Sequence, residues 1–127
     1  MTKSSWPISV FLTLTQSQQR RPVDQDERGP DSAWTNATKS AISKLRVAGL
    51  RHALMADAPS WGQDGAGTVR NTATSVLAAD PDHNTVFSVH LYGVYDTAAE
   101  AQNYLNHFVD NRLPVVVGEF GLGMAEK

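Results

Sequence analysis

The run Pro114-Val115-Val116-Val117-Gly118-Glu119-Phe120-Gly121 constrains the fold more than any other stretch of the chain. Three valines behind a proline read as a short strand buried on both faces. That is the pattern of a parallel strand covered by helices, not of a half-exposed antiparallel one. The apolar run ends on a carboxylate, Glu119. A glutamate there is either a solvated residue at the strand's exit, as most glutamates are, or a catalytic carboxylate. α/β folds place their sites at the C-terminal ends of parallel strands, so the groups at the other strand ends decide between the two readings.

Upstream, the hydrophobic period alternates regularly between helix and strand. After Ser32, a plausible N-cap, Trp34, Thr38, Ala41, Leu45 and Ala48 recur at helical spacing, with Lys44 and Arg46 in the last turn, where the helix dipole favours cations. Gly49 is a natural residue just past the helix end, with Leu50 behind it for the hydrophobic contact. This predicts a helix over 32–48 and a short strand over 52–56. A loop follows over 57–65, then a second helix over 67–79 marked by Val69, Ala73, Val76 and Leu77 and stopped before Asp80-Pro81. Val86-Phe87-Ser88-Val89-His90-Leu91-Tyr92 is a second clear strand. Thr97 and Glu100 have the form of a capping box, opening a helix over 97–110 with Ala101, Tyr104, Leu105 and Phe108 on one face. The third strand covers 114–119.

Strand centres near 54, 89 and 117 lie about 35 and 28 residues apart, the spacing of parallel strands joined by right-handed helical crossovers. Each unit is close to the ~31 residues that an eight-fold α/β barrel of ~250 residues assigns to one repeat. The fold class is therefore α/β with a parallel sheet: about half a (β/α)8 TIM barrel, or a small open sheet.

Residues 1–30 differ from the rest. Residues 8–15 alternate as Ile-Ser-Val-Phe-Leu-Thr-Leu-Thr and read as a further strand. Residues 16–30 hold almost nothing to bury and read as loop or disorder. The expected organisation is an atypical, partly disordered segment over 1–30 ahead of one domain over 31–127. Lys3 and the apolar stretch of residues 6–14 resemble a signal peptide only weakly, since the stretch is short, contains Pro7 and lacks a good cleavage site. With 127 residues, a formal charge of -2 and no cysteine, the chain has room for one core and no disulfides or thiolate metal site. It carries no electrostatic footprint for nucleic acid or an anionic membrane, and no run approaches the ~20 apolar residues of a membrane span.

One rim of such a sheet collects Asp57 and Trp61 after the first strand, His90 and Tyr92 at the second, and Glu119 at the third. His90 and Tyr92 are two residues apart and point to the same face. Taken singly, His90 is a hydrogen-bonded structural residue, Tyr92 packing and Trp61 a core aromatic. Three strand ends presenting ionisable or aromatic groups together point to a site. No Gly-rich phosphate loop, metal-spaced histidine pair or Gly-x-Ser-x-Gly elbow competes with it, and neither metal nor cofactor is expected.

Three segments, His52 through Asp64, Thr85 through Asp96 and Leu113 through Gly121, together resemble glycoside hydrolase family 5, above all its bacterial endo-β-1,4-mannanases, some also labelled cellulases. The resemblance covers about residues 31–121 and rests most on His-x-Tyr followed by Gly-Glu-Phe-Gly. It implies a (β/α)8 barrel of which these are strands five to seven, secretion to the extracellular space, and a β-linked polysaccharide, mannan or glucan, as partner. It implies Glu119 as nucleophile, Tyr92 as the residue that orients it, His90 as a hydrogen-bonding site residue and Trp61 as a stacking surface beside the sugar subsites. The family's acid/base glutamate follows an asparagine at the end of strand four. No Asn-Glu pair occurs in the corresponding residues 8–30, where Asp24, Asp26 and Glu27 are the only carboxylates, in polar sequence. The resemblance thus leads to an incomplete copy, weakly active or inactive alone, and exposed sheet edges through which it self-associates. A non-catalytic carbohydrate-binding remnant is the alternative, and without the resemblance the residues describe a small open α/β domain whose Glu119 is merely exposed.

Overall fold

The computed structural model describes residues 12–14 and 30–121, with side chains from residue 33 onward. In chain order the elements are strand β1 (Leu12–Leu14), helix α1 (Pro30–Val47), β2 (Leu54–Asp57), α2 (Thr68–Ala79), β3 (Thr85–Leu91), a 3-10 turn (Gly93–Tyr95), α3 (Ala98–Asp110) and β4 (Val115–Phe120). The strands form one four-stranded sheet in the order β1-β2-β3-β4, and every neighbouring pair is parallel. The expected strand over 8–15 is present at Leu12–Leu14, paired with Leu54–Ala56. Its flanks, the weak leader and residues 16–29 of the loop read over 16–30 lie outside the described residues, while Pro30 begins α1.

Local signals fix the helix ends. Leu50 N–H donates to the Leu45 carbonyl and Gly49 N–H to that of Arg46, each at 3.0 Å, with Gly49 at φ +91°, so α1 closes in a Schellman motif. Thr97 and Glu100 form both halves of the capping box that opens α3. The strand expected over 52–56 starts two residues later. Arg46 takes the carbonyls of Leu50 and His52, both at 2.8 Å, so that chain is held by a guanidinium and not by a neighbouring strand.

One face of the sheet carries Leu54, Ala56, Phe87, Val89 and Leu91 into a core shared with Trp34, Ile42, Val69, Val76, Tyr104 and Phe108 from the helices. By the period of two, the other face carries Met55, Asp57, Val86, Ser88, His90 and Val116. The expectation that β4 is buried on both faces is not met: Val116 is 39% exposed and the strand is mostly open. The helices cover one face only, and no described element packs on the second.

At the ends of β2 and β3 opposite the rim, Arg46 and Asp80 build a closed polar centre. The Arg46 Nε and one terminal nitrogen donate to the two Asp80 carboxylate oxygens at 2.8 and 2.9 Å, and Asp80 also accepts from the Thr85 hydroxyl and the backbone N–H groups of Asp82 and Asn84. The side chains are 2% and 0% exposed. Burial works to raise the Asp80 pKa, but bonds from Arg46 and Thr85 outweigh it and hold the carboxyl well below its usual range.

Candidate active site

The rim at the C-terminal ends of β2, β3 and β4 gathers the residues singled out in the sequence. They come from three strand ends and the loops behind them, which makes the geometry a property of sheet register. Pairing runs regularly from Phe87–Val115 to Val89–Val117, and then His90 pairs with Glu119. Gly118 is left over as a β-bulge. Without it, Gly118 would lie opposite His90, and Glu119 would lie opposite Leu91 on the face packed by helices. The bulge brings Glu119 onto the face of Ser88 and His90.

Two side chains then reach the carboxylate. The Tyr92 hydroxyl donates to Glu119 Oε2 at 3.4 Å, a long hydrogen bond. His90 Nδ1 lies 3.7 Å from the same oxygen, an ion pair whenever the imidazole is protonated. The Glu119 side chain is 57% exposed and that of His90 only 19%. A nucleophile must be approachable and a positioning group must be held, so the asymmetry suits a reactive carboxylate flanked by fixed partners. Both of these neighbours lie on Oε2.

The loop after β2 supplies the third wall. Ser60 and Trp61 adopt left-handed backbone at φ +57° and +53°, followed by Gly62 at +80°. His90 N–H donates to the Gly62 carbonyl at 2.7 Å, and a Cβ on Gly62 would stand 2.5 Å from the His90 ring. The loop thus lies directly against the imidazole and holds Trp61 beside it, 78% exposed. Trp61 is therefore not a core aromatic. Trp34 fills that role, donating its indole N–H to the Asp57 carbonyl at 2.9 Å. Asp57 stands at the end of the same strand, β2, while the side chains that reach Glu119 are Tyr92 and His90.

Sequence reasoning missed the group that holds this loop. Asp64, fully buried at φ +51°, accepts from the backbone N–H groups of Val69 and Arg70, capping α2 where Gly67 has no side chain to do so. It also accepts from the Tyr104 hydroxyl at 2.6 Å, and its carbonyl accepts from Tyr95 at 3.3 Å. Burial, then the bond to Asp64 and its charge, push the Tyr104 phenol far above its ordinary value. Burial and Asp64 push Tyr95 up to about 12. The signal was an aspartate just before a helix whose own N-cap is glycine. Among the described residues no group of three or more His, Cys, Asp or Glu could hold a metal ion, and no helix is long and apolar enough to cross a membrane.

Comparisons with known proteins bear on the family and the fold. The Cellulase (glycosyl hydrolase family 5) profile matches residues 14–127, beginning earlier than the resemblance read at 31–121. A mannan endo-1,4-β-mannosidase from Streptomyces lividans is 72% identical over 90 residues, which are 71% of this chain and 24% of that protein. A β-mannanase/endoglucanase A from Caldicellulosiruptor saccharolyticus is 54% identical over 88 residues, 69% of this chain and 7% of its own length. Among solved structures, the catalytic domain of a mannanase from Streptomyces sp. SirexAA-E superposes with a TM-score of 0.72 at 52% identity, over 79% of this chain and 32% of that one. The mannohexaose complex of Thermomonospora fusca β-mannanase gives 0.69 at 53% identity, over 72% and 31%. The chain spans about a quarter of the Streptomyces lividans relative and about a third of these structures, and its parallel sheet with flanking helices is an arc of their barrel. With the family profile matched over nearly all of its length, the chain belongs to glycosyl hydrolase family 5.

Proposed function

We propose that this chain carries the attacking half of a retaining glycosidase site for β-1,4-mannan. Glu119 is the nucleophile, the Tyr92 hydroxyl orients its carboxylate, His90 holds the same oxygen from the other side, and Trp61 offers its indole face to a pyranose ring. The observation that carries this reading is the convergence of Tyr92 and His90 on Oε2 of an exposed glutamate at a parallel strand end. Retention needs a carboxylate that attacks C1 and, about 5 Å away, an acid that protonates the leaving oxygen. A glutamate cannot be ionised for the first task and protonated for the second at once. Of the described rim carboxylates Glu119 and Asp57, Glu119 is the one that Tyr92 and His90 hold. Mannan, in preference to glucan, is supported by relatives named as mannan endo-1,4-β-mannosidases; the relative named β-mannanase/endoglucanase A keeps cellulose as the second substrate to try.

Two substrates separate the readings. An activated fluoro-mannobioside with a dinitrophenolate leaving group needs no acid, so the purified chain should release dinitrophenolate in a slow burst of one equivalent. Native mannan needs the acid, whose positioned contribution is typically ~10²–10⁴-fold. Reducing-sugar release by the chain should therefore stay near that of a Glu119→Gln blank. Robust mannan hydrolysis abolished by that substitution would mean that a second carboxyl is supplied after all. The exposure of Trp61 favours a second reading, a sugar-binding surface without chemistry. Mannohexaose binding with no burst would select it. The same proposal includes self-association, since Val116 and Phe120 are exposed on β4 at the end of the described sheet. Sedimentation velocity should find species larger than one chain, and a compact monomer would contradict it.

A further inference from the structure

We propose that Gly118 and Gly121 are positioning residues whose missing side chains form the seats for the His90 and Tyr92 rings against Glu119. The inference rests on reading Glu119 as the nucleophile and adds what aims its two partners. At the bulge, Gly118 and Glu119 stand against the single residue His90. A Cβ on Gly118 would lie 2.9 Å from Ser88 Oγ, 3.3 Å from His90 Nε2 and 3.4 Å from Cδ2, on the open face that Glu119 also uses. A Cβ on Gly121 would lie 2.8 Å from Tyr92 Cε1 and 3.3 Å from Cδ1.

Neither glycine is needed for its backbone, because neither has the left-handed φ that distinguishes Gly62. What these positions require is space, one for each ring. Gly121 N–H donates to the Leu91 carbonyl at 3.1 Å, so the strand is tied to β3 beside Tyr92 and cannot simply swing away. Gly62 closes the far side of the imidazole. His90 is thus clasped between two glycines on separate elements, and Tyr92 rests on a third. Added methyl groups in such a seat force neighbouring side chains off their rotamers. An ångström of misplacement at a reacting group can cost roughly 100-fold in rate.

The test uses the full chain and two readouts. Imidazole NMR resonances of His90 and ring resonances of Tyr92 are recorded with and without Glu119→Gln, which reports whether each ring senses the carboxylate. The rate of labelling by the activated fluoro-mannobioside is followed by intact mass. In that reaction a Glu119 oxygen bonds to C1 as the C1–O bond breaks, and the pair leaves with dinitrophenolate. Gly118→Ala should abolish the His90 response and leave that of Tyr92. Gly121→Ala should do the reverse. Each should slow labelling by roughly 100-fold, while the resonances of His52, His83 and His107 stay in place. A general loss of folding would move all of them together.

If Gly118→Ala does not fold, adding Ser88→Ala removes its tightest contact and the double variant is judged on the same two readouts. Alanine variants that keep both responses and label as fast as the parent would overturn the inference. So would variants in which each alanine disturbs both rings alike. A parent chain that never labels would sink the nucleophile reading, and the ring responses would still decide the role of the two glycines.

Discussion

The two ends of the sheet are built on opposite principles. At the lower end, Arg46 and Asp80 are buried to 2% and 0% exposure and joined by two bonds under 3 Å, with backbone groups of four further residues gathered in. At the rim, Glu119 is more than half exposed and its contacts measure 3.4 and 3.7 Å. Short closed bonds leave a carboxylate nothing to do but hold the fold; long open ones leave it free to meet a substrate. Two carboxylates at opposite ends of one sheet thus differ in burial and partners: Asp80 is locked into the fold and Glu119 is open to solvent. In parallel α/β architecture this division is general: one face stabilises and the other works.

The comparison can be broken most directly at the lower end. Asp80→Ala should cost about 3–5 kcal/mol in urea unfolding, because it strands the buried Arg46 charge. That is a large share of the ~5–15 kcal/mol that holds a domain together. Replacing both partners with apolar residues, Arg46→Met with Asp80→Leu, should cost far less than the single change. Equal losses would show that the pair acts by more than mutual neutralisation.

Titration sharpens the same point from two sides. The Asp80 pKa is lowered by folding, so its contribution is complete above the unfolded value of ~4 and is lost as pH falls below it. Asp80→Asn should flatten that acid slope. Tyr104 and Tyr95 are raised, so their contribution is complete below ~10 and lost as pH rises, for Tyr95 through about 12. Tyr104→Phe should flatten the alkaline limb and cost ~1–3 kcal/mol at neutral pH, since Asp64 loses a buried donor.

The smallest stability change belongs to the rim. Tyr92→Phe removes one long, exposed bond and should alter unfolding by no more than ~0.5 kcal/mol. It should nonetheless slow dinitrophenolate release. A Tyr92→Phe variant as destabilised as Asp80→Ala would erase the distinction between the two ends.

Much of this was legible in the sequence, because it rested on local rules. Helix ends followed from Gly49 and the Thr97–Glu100 box, and the strands followed from apolar runs at regular spacing. The rim residues followed from parallel strand ends. What was not legible depends on contacts between distant segments. Arg46 read as a dipole-favoured cation and Asp80 as a helix stop, although they meet across 34 positions. Asp64 and Tyr104 are separated by 40. The valines of β4 announced a strand, but not its exposure, since a run of three side chains cannot say which faces the described elements cover. The bulge at Gly118 was hidden for a related reason: a period-two pattern counts along one strand, and register is a relation between two.

The central claim is that Glu119 attacks. The most direct measurement is peptide mapping by mass spectrometry after the full chain is incubated with the activated fluoro-mannobioside. The account predicts one sugar adduct per chain, located on Glu119 and absent from Glu119→Gln. An adduct on another carboxylate, or none on a chain that binds mannohexaose, would contradict it.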